Sequence, residues 1–180
     1  MAATKWNQDI NAGQDWMANI NLLSADGTTN RDITNHTLAS DVRRHNKSVS
    51  AITNVNIMIL DSATGNITLM LNNTQTSLMK NGKYVYDIEL TAPNTLTVKE
   101  ATGTFIADEV ITGATSGATG TILTHSPLTK ITYTVTSGTF TMMEIINGTS
   151  FNAKVVSNDG KPVDRVIEGI FTVKPEVTKT

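Results

Sequence analysis

A duplicated segment constrains the fold of this chain more than any other feature of its sequence. "GTFIADEVITGATSGATGTI", residues 103–122, recurs as "GTFTMMEIINGTSFNAKVV", residues 138–156. Each copy begins with Gly-Thr-Phe, continues with a Glu and two β-branched residues, and ends in a turn containing Gly, Thr and Ser. At the start of each copy, Gly103, Thr104 and Phe105 match Gly138, Thr139 and Phe140. In the middle, Glu109, Val110 and Ile111 match Glu144, Ile145 and Ile146. At the turn, Gly113, Thr115 and Ser116 match Gly148, Thr149 and Ser150. Each copy therefore predicts a strand, a tight turn and a second strand.

The glycine-rich end of the first copy, Gly113–Thr121, is open to three interpretations: a phosphate-binding loop, a disordered linker, or the turns of a β-module. A phosphate-binding loop needs a Lys after its last glycine and a helix behind it, and neither follows here. A linker is disfavoured because Phe, Val and Ile recur at strand spacing. With "TKITYTV" (Thr129–Val135) between the copies, we predict a small barrel-like or sandwich-like module over residues 95–156. Phe105 and Phe140 are expected in its core.

The rest of the chain alternates apolar and polar residues with the two-residue period of half-buried strands. Turn residues separate the alternating segments, most clearly at Asp61–Gly65, which predicts a hairpin. The predicted strands are Trp16–Leu23, Thr37–His45, Val55–Leu60, Asn66–Leu71, Lys83–Leu90 and Asp164–Val173. In the last of these, Gly169 is predicted to mark a bulge, and Pro175 to end the strand. The fold class indicated is all-β.

One segment departs from the strand pattern. "NNTQTSLMKNG", residues 72–82, predicts a short helix with Asn73 or Thr74 as its N-cap. Leu78 and Met79 are expected to face inward, and Asn81-Gly82 is expected to end the helix.

The position of the repeat indicates a discontinuous first domain. Without the module, the strand at Lys83–Leu90 would face that at Asp164–Val173 as an antiparallel hairpin closed by a polar turn at Asp159-Gly160. Hairpin tips tolerate insertions because the parent sheet stays intact. We therefore predict one domain from residues 1–94 plus 157–180, and an inserted module at residues 95–156.

Composition excludes several classes of function. The chain has 180 residues, a formal net charge of −2 and no cysteine. Disulfides, thiolate zinc sites and a Cys nucleophile are excluded. The basic cluster Arg43, Arg44, His45 and Lys47 is short and is interpreted as a solvated strand end, so no nucleic-acid partner is expected.

No membrane partner is expected either. No apolar run is long enough to span a bilayer, and residues Met1–Trp16 lack the apolar core of a signal peptide. We therefore expect a soluble chain made in a cytoplasm.

No set of residues points to catalysis, a cofactor or a metal. His36, His45 and His125 are scattered, although His36 and His45 could meet across strands. The acids Asp15, Asp26 and Asp32 do not form a calcium loop, no carboxylate pair fits hydrolysis, and no serine lies in a nucleophile elbow. The sequence therefore predicts no catalytic, cofactor-binding or metal-binding residues, and a protein that is not an enzyme.

The two tryptophans are the remaining candidates for a binding surface. Trp16 begins a predicted strand, which favours burial in the core. Trp6 lies in a polar N-terminal arm, where it either docks on a neighbouring subunit or packs on its own domain.

Four ordered segments resemble a family of small structural proteins of tailed bacteriophages, especially of cyanophages and other marine phages. They are "MAATKWNQDINAGQDW", "TLASDVRRH", "LDSATGNITLMLNNTQTSLMKNGKYVYDIEL" and "RVIEGIFTVKPEVT". The strand "G-x-Y-x-Y-D" and the ending "R-x-x-E-G-x-x-x-V-x-P-E-V-T" belong to the family's recurring pattern, and the ordered series of segments is fairly specific. The segments are similar to the immunoglobulin-like N-terminal domain of phage baseplate upper proteins, and cover most of residues 1–94 and 158–180.

This resemblance implies an immunoglobulin-like antiparallel β-sandwich in a virion that is assembled in the host cytoplasm. The expected partners are other virion structural proteins, contacted as a homo-oligomer or in many copies per particle. The expected role is an adaptor of the tail or baseplate, with decoration of the capsid, collar or neck as the alternative. A host-surface carbohydrate-binding module is a third possibility, for which Tyr133 and Phe151 are the aromatic residues that the module offers.

Overall fold

The computed structural model describes residues 3–127 and 129–175. Over these residues the protein consists of fourteen strands and one short helix, numbered along the chain. They are β1 (Thr4–Lys5), β2 (Gln8–Asn11), β3 (Trp16–Asn21), β4 (Thr37–Arg43), β5 (Asn56–Asp61), β6 (Asn66–Leu71), α1 (Asn73–Ser77), β7 (Gly82–Thr91), β8 (Asn94–Gly103), β9 (Val110–Gly113), β10 (Thr119–Ser126), β11 (Lys130–Ser137), β12 (Ile145–Asn147), β13 (Phe151–Gly160) and β14 (Val163–Lys174). The fold is all-β, as the alternation predicts. It divides into two compact units, residues 3–91 with 163–175 and residues 92–162.

The first unit contains two sheets that share one core. The larger sheet has the order β1-β14-β7-β4, with β2 also paired to β14, and the smaller has the order β3-β6-β5. β1 and β2 run parallel to β14, whereas the other neighbours are antiparallel. Side chains at every second position of the strands fill the core. Those most deeply buried include Ile10, Val42, Ile67, Leu69, Leu71, Ile88, Leu90, Phe171 and Val173.

The N-terminal arm packs on its own unit. Phe171 is fully buried, stacks on Tyr86 with ring centroids 4.1 Å apart, and meets the edge of Trp16 at 5.2 Å. Trp6 lies 6.1 Å from Trp16, and its carbonyl accepts a hydrogen bond of 2.6 Å from the Tyr86 hydroxyl. Of the two interpretations of Trp6, packing on its own domain is the one found.

Gly169 does not mark a bulge, which corrects the prediction. The register shift in β14 lies between Arg165 and Ile167. A Cβ atom at Gly169 would collide with the carbonyl oxygen of Trp6. The glycine is therefore required because the N-terminal arm lies alongside β14 between β1 and β2, and brings the Trp6 carbonyl against this position.

The short helix is present, but its details differ from the prediction. Asn72, not Asn73 or Thr74, is the N-cap, and its side chain accepts from the Gln75 N–H while the Gln75 side chain binds the Asn72 N–H. Met79 is fully buried, whereas Leu78 is 56% exposed, so the inward placement predicted for Leu78 is wrong. The helix ends at Ser77, before the predicted end at Asn81-Gly82, so Leu78 and Met79 lie outside it.

The second unit is a closed six-stranded barrel with the order β10-β11-β8-β13-β12-β9. The first repeat segment, with the strand before it, supplies β8, β9 and β10, and the second repeat segment, with the strand before it, supplies β11, β12 and β13. Among the described residues, β8 pairs with β11 and β13, and β11 pairs with β10 and β8. The first strand of each set of three is thus not bonded to the other two, so the two sets are interlocked. The core contains Leu96, Val98, Phe105, Ile111, Ile122, Ile131, Tyr133, Phe140, Ile146, Phe151 and Val155, which places Phe105 and Phe140 as predicted.

The barrel is longer than the predicted module. β13 continues to Gly160, which pairs with Thr95, and three register shifts along its pairing with β8 let it curve around the barrel. The predicted hairpin turn at Asp159-Gly160 is therefore wrong. The antiparallel pairing of β7 with β14 is present, and begins directly at Thr91 and Val163.

Candidate interaction surfaces

The three histidines do not form a site. His36 contacts the carbonyl of Thr34 at 2.9 Å, and His45 contacts the hydroxyl of Ser48 at 3.3 Å, so each binds its own neighbourhood. His125 packs edge-on against Phe105. No group of three His, Asp or Glu residues able to hold a metal ion occurs within residues 3–127 and 129–175.

The acids considered for calcium each bind main-chain N–H groups. Asp26 accepts from the hydroxyl of Thr29 and from the N–H groups of Thr28 and Thr29, which lowers its pKa to about 2. Asp32 accepts from the N–H of Thr34, and Asp15 from that of Asn73. Their role is to hold turns and a helix start.

The basic cluster at the end of β4 is also engaged locally. Arg43 pairs with Asp41 at 2.5 Å, and the Arg44 guanidinium lies 4.7 Å from the centre of the Tyr84 ring. Nearby, on the outer face of the larger sheet, Arg165 lies 3.1 Å from Asp87 in a concave region of about 550 Å³. Positive and negative groups alternate on this face.

The barrel contains a reciprocal pair of contacts that the sequence reasoning did not find. Glu109 of the first repeat accepts from the N–H of Ser150 at 2.6 Å and from its hydroxyl at 2.7 Å. Glu144 of the second repeat accepts from the N–H of Ser116 at 3.0 Å and from its hydroxyl at 2.9 Å. Each glutamate thus holds the turn of the other repeat. The signal was available, because both residues occupy matched positions of the duplication.

Hydrogen bonding keeps these carboxylates charged. Burial by itself raises the pKa of Glu144, but hydrogen bonds from Ser116, Thr141 and Thr115 outweigh burial and hold the pKa below its usual value. For Glu109, burial is likewise outweighed by hydrogen bonds from Ser150. The pair has a structural role, since the partners of each carboxylate are turn residues of the barrel itself.

Two matched glycines make room for these carboxylates. A Cβ atom at Gly113 would lie 2.7 Å from Oε2 of Glu144, and one at Gly148 would lie 2.7 Å from Oε1 of Glu109. The shared Gly in the two repeats is therefore explained by the close approach of a glutamate side chain from the opposite repeat, together with a side chain of its own turn, Ser116 at Gly113 and Phe151 at Gly148.

The aromatic residues considered for carbohydrate binding are buried. Tyr133 and Phe151 lie in the barrel core, where Phe151 packs edge-on against Phe105 with centroids 4.4 Å apart. The expectation that they are accessible for sugar stacking is therefore corrected. Apolar exposure on the barrel comes instead from aliphatic residues such as Met142, Met143 and Ile145.

The smaller sheet of the first unit has two terminal strands, β3 and β5. Within residues 3–127 and 129–175, each pairs only with β6. On β5 the consecutive residues Met58, Ile59 and Leu60 are 47%, 41% and 49% exposed. An apolar, incompletely paired edge of this kind is a surface for strand addition.

A groove of about 610 Å³ lies beside β3, between it and the N-terminal arm. Trp6, Ile20, Val166 and Ile167 make it largely apolar. Arg31 also lines it: its Nη2 binds Asp164 at 2.6 Å, whereas its Nη1 is buried and has no hydrogen-bond partner among the described residues.

No protein-family model matches this chain, and a search of curated proteins finds no significant match. Among the residues that the structure describes, no helix has the length and apolar character needed to cross a bilayer.

Proposed function

We propose that this protein is a structural adaptor of a tailed-phage particle, present in many copies and located in the tail or baseplate. In this proposal the first unit is an immunoglobulin-like domain that carries the barrel as an insertion. The resemblance of residues 1–94 and 158–180 to phage baseplate proteins motivates the proposal. The observation that carries it is the β5 edge: Met58, Ile59 and Leu60 are exposed on this strand, which among the described residues pairs with β6 alone.

The adaptor works by docking, without chemistry on a substrate. Terminal strands provide main-chain hydrogen bonds to a neighbouring protein, and exposed apolar side chains on them bury surface at the contact. Exposed aliphatic residues of the barrel, such as Met142 and Ile145, provide a second docking surface. Decoration of the capsid, collar or neck uses the same docking mechanism and differs only in the neighbouring protein. Carbohydrate recognition is less well supported, since Tyr133 and Phe151 are buried.

Purified particles of the phage that encodes the chain provide the test. Mass spectrometry is expected to detect the chain in several copies per particle, and cryo-electron microscopy to locate it in the tail or baseplate. Deletion of its gene is expected to stop assembly or destabilise particles. Absence of the chain from intact particles would contradict the proposal. Binding of the purified chain to a glycan array, with particle assembly unaffected by the deletion, would favour host recognition instead.

A further inference from the structure

The free edge of β3 presents main-chain groups to the groove beside it. The N–H of Leu22 donates to the carbonyl of Gly65 at 2.9 Å, on the side where β6 lies. In an antiparallel ladder, successive residues direct their N–H and C=O to opposite edges. The main-chain groups of Asn21 and Leu23 therefore point away from β6, and both residues line the groove.

The free edge of β5 is a matching strand. Met58 is paired with Thr68. The carbonyl of Gly65 faces β3, and main-chain groups alternate between the two edges of a strand, so those of Thr68, three residues later, face β5. The N–H and C=O of Ile57 and Ile59 consequently face away from β6. Ile59 also leaves 41% of its surface exposed at this edge, although it lies on the core side of the sheet.

The two edges match in length, direction and charge. β3 and β5 are each six residues long, and both run antiparallel to β6, so they run in the same direction. If a second copy continues the sheet, its β5 lies parallel to β3, and its Asp61 reaches the end of β3 where Arg31 lines the groove. Asp61 is exposed, and Oδ1 of its carboxylate accepts from the N–H of Ala63 at 3.0 Å, which leaves Oδ2 without a partner among the described residues. Oδ2 can therefore pair with the accessible part of the Arg31 guanidinium, whose side chain is 17% exposed.

We propose that copies of this chain associate by strand addition, with β5 of one copy pairing parallel to β3 of the next. The side chains of Ile57 and Ile59 enter the apolar groove, and Asp61 pairs with Arg31. Because the two edges differ, each added copy uses one of its edges and leaves the other free. An open assembly therefore always has one free β3 edge and one free β5 edge, so the contact generates a filament, or a ring if these two edges meet. This inference rests on the proposed multi-copy role and names its partner as a second copy of the chain.

Two substitutions on β5 form a matched pair that separates this contact from general changes in solubility. Ile59→Lys places a charge in the groove of the next copy, whereas Met58→Lys, on the opposite face, leaves the groove contact intact. The association is measured by sedimentation of the full chain at about 1–100 µM, a range that detects micromolar affinities. We expect the wild type and Met58→Lys to form species larger than the 19.4 kDa monomer. Ile59→Lys is expected to stay monomeric. Asp61→Asn keeps the acceptor for Ala63 but removes the charge, and is expected to weaken association about tenfold.

A mixing experiment tests which edges meet. Asn21→Pro removes an N–H from the free edge of β3, a position where proline breaks no internal strand pairing. Alone, neither Asn21→Pro nor Ile59→Lys is expected to associate. Mixed in equal amounts, they are expected to form dimers and nothing larger, because one intact edge remains on each. Circular dichroism of both variants checks that they are folded. A monomeric wild type, or an Asn21→Pro variant that still associates, would overturn the inference.

Particle composition distinguishes this inference from the proposed function. If particles contain the chain and incorporate Ile59→Lys normally, the strand contact is refuted and the structural role stands. If the chain associates as described but is absent from particles, the contact stands and the phage role is refuted.

Discussion

Asp108 and Met143 occupy equivalent places in the two repeats and share one backbone conformation, with φ angles of 67° and 68°. The N–H of Asp108 donates to the carbonyl of Ile122, and that of Met143 to the carbonyl of Val155, both at 2.9 Å. In each case the acceptor is in the third strand of the same repeat. A left-handed backbone is unfavourable for residues other than glycine, Asn and Asp, so its recurrence indicates that the two copies fold alike.

This conformation predicts a stabilising substitution. Met143 is 58% exposed, and Asn tolerates the left-handed region better than Met. Met143→Asn is therefore expected to stabilise the barrel by up to about 1 kcal/mol. Hydrogen exchange of barrel peptides measures the change. Met142→Asn is the control, because Met142 is also exposed, at 69%, and has no positive φ. An equal gain there would contradict the reasoning.

The reciprocal hydrogen bonds of Glu109 and Glu144 predict that acid destabilises the barrel. The folded-state pKa of Glu144 lies below its usual value of 4.5. Its stabilisation is therefore present above about pH 4.5 and decreases as the pH falls through the folded-state pKa. Glu144→Gln is expected to destabilise the barrel by about 1–3 kcal/mol at neutral pH, because an amide cannot accept from all the N–H and O–H groups that face it. Urea unfolding followed by circular dichroism, at neutral pH and at about pH 3, should show a smaller pH effect in the variant. An unchanged pH effect would show that Glu144 does not contribute to it.

The hydrogen bond from Tyr86 to Trp6 predicts how the N-terminal arm is held. Tyr86→Phe leaves the Trp6 carbonyl without its donor at 2.6 Å, and is expected to destabilise the first unit by about 1–3 kcal/mol. Both tryptophans lie in this unit, so tryptophan fluorescence during urea unfolding reports on it without contribution from the barrel. In the same variant, hydrogen exchange should increase at Trp6, whose N–H bonds to Glu168. Unchanged exchange there would mean that the arm is held without this bond.

The helix cap gives a prediction with a neighbouring control. Asn72→Ala removes the side-chain acceptor for the N–H of Gln75 and is expected to destabilise the first unit by about 1 kcal/mol. Asn73→Ala leaves that bond in place and should have a smaller effect. Tryptophan fluorescence during urea unfolding compares the two variants, and equal losses would reject Asn72 as the cap.

The features that the sequence predicted correctly are local. The alternation at Lys83–Leu90 placed Tyr84, Tyr86 and Ile88 on one buried face, because a strand turns its side chains to opposite faces at every step. The matched phenylalanines Phe105 and Phe140 were placed in the barrel core for the same reason. These inferences needed only residues that are close together in the sequence.

The predictions that were wrong depended on distant parts of the chain. Gly169 was interpreted as a bulge because nothing next to it in the sequence indicates that the Trp6 carbonyl lies against it. Asp159 and Gly160 have the composition of a turn, yet Gly160 is held in a strand by Thr95. In each case a contact with a residue remote in sequence determines the local structure.

By itself, the sequence determined that the chain is all-β, that one segment is duplicated, and which residues of Lys83–Leu90 share a buried face, because hydrophobic alternation depends only on neighbouring positions. Only the tertiary structure decided that the two repeats interlock into one barrel, that Glu109 and Glu144 hold each other's turns, and that β3 and β5 remain terminal strands. Those properties depend on which strands become neighbours. Strand pairing joins residues that are far apart in the chain, and an alternating pattern fits several partners equally well.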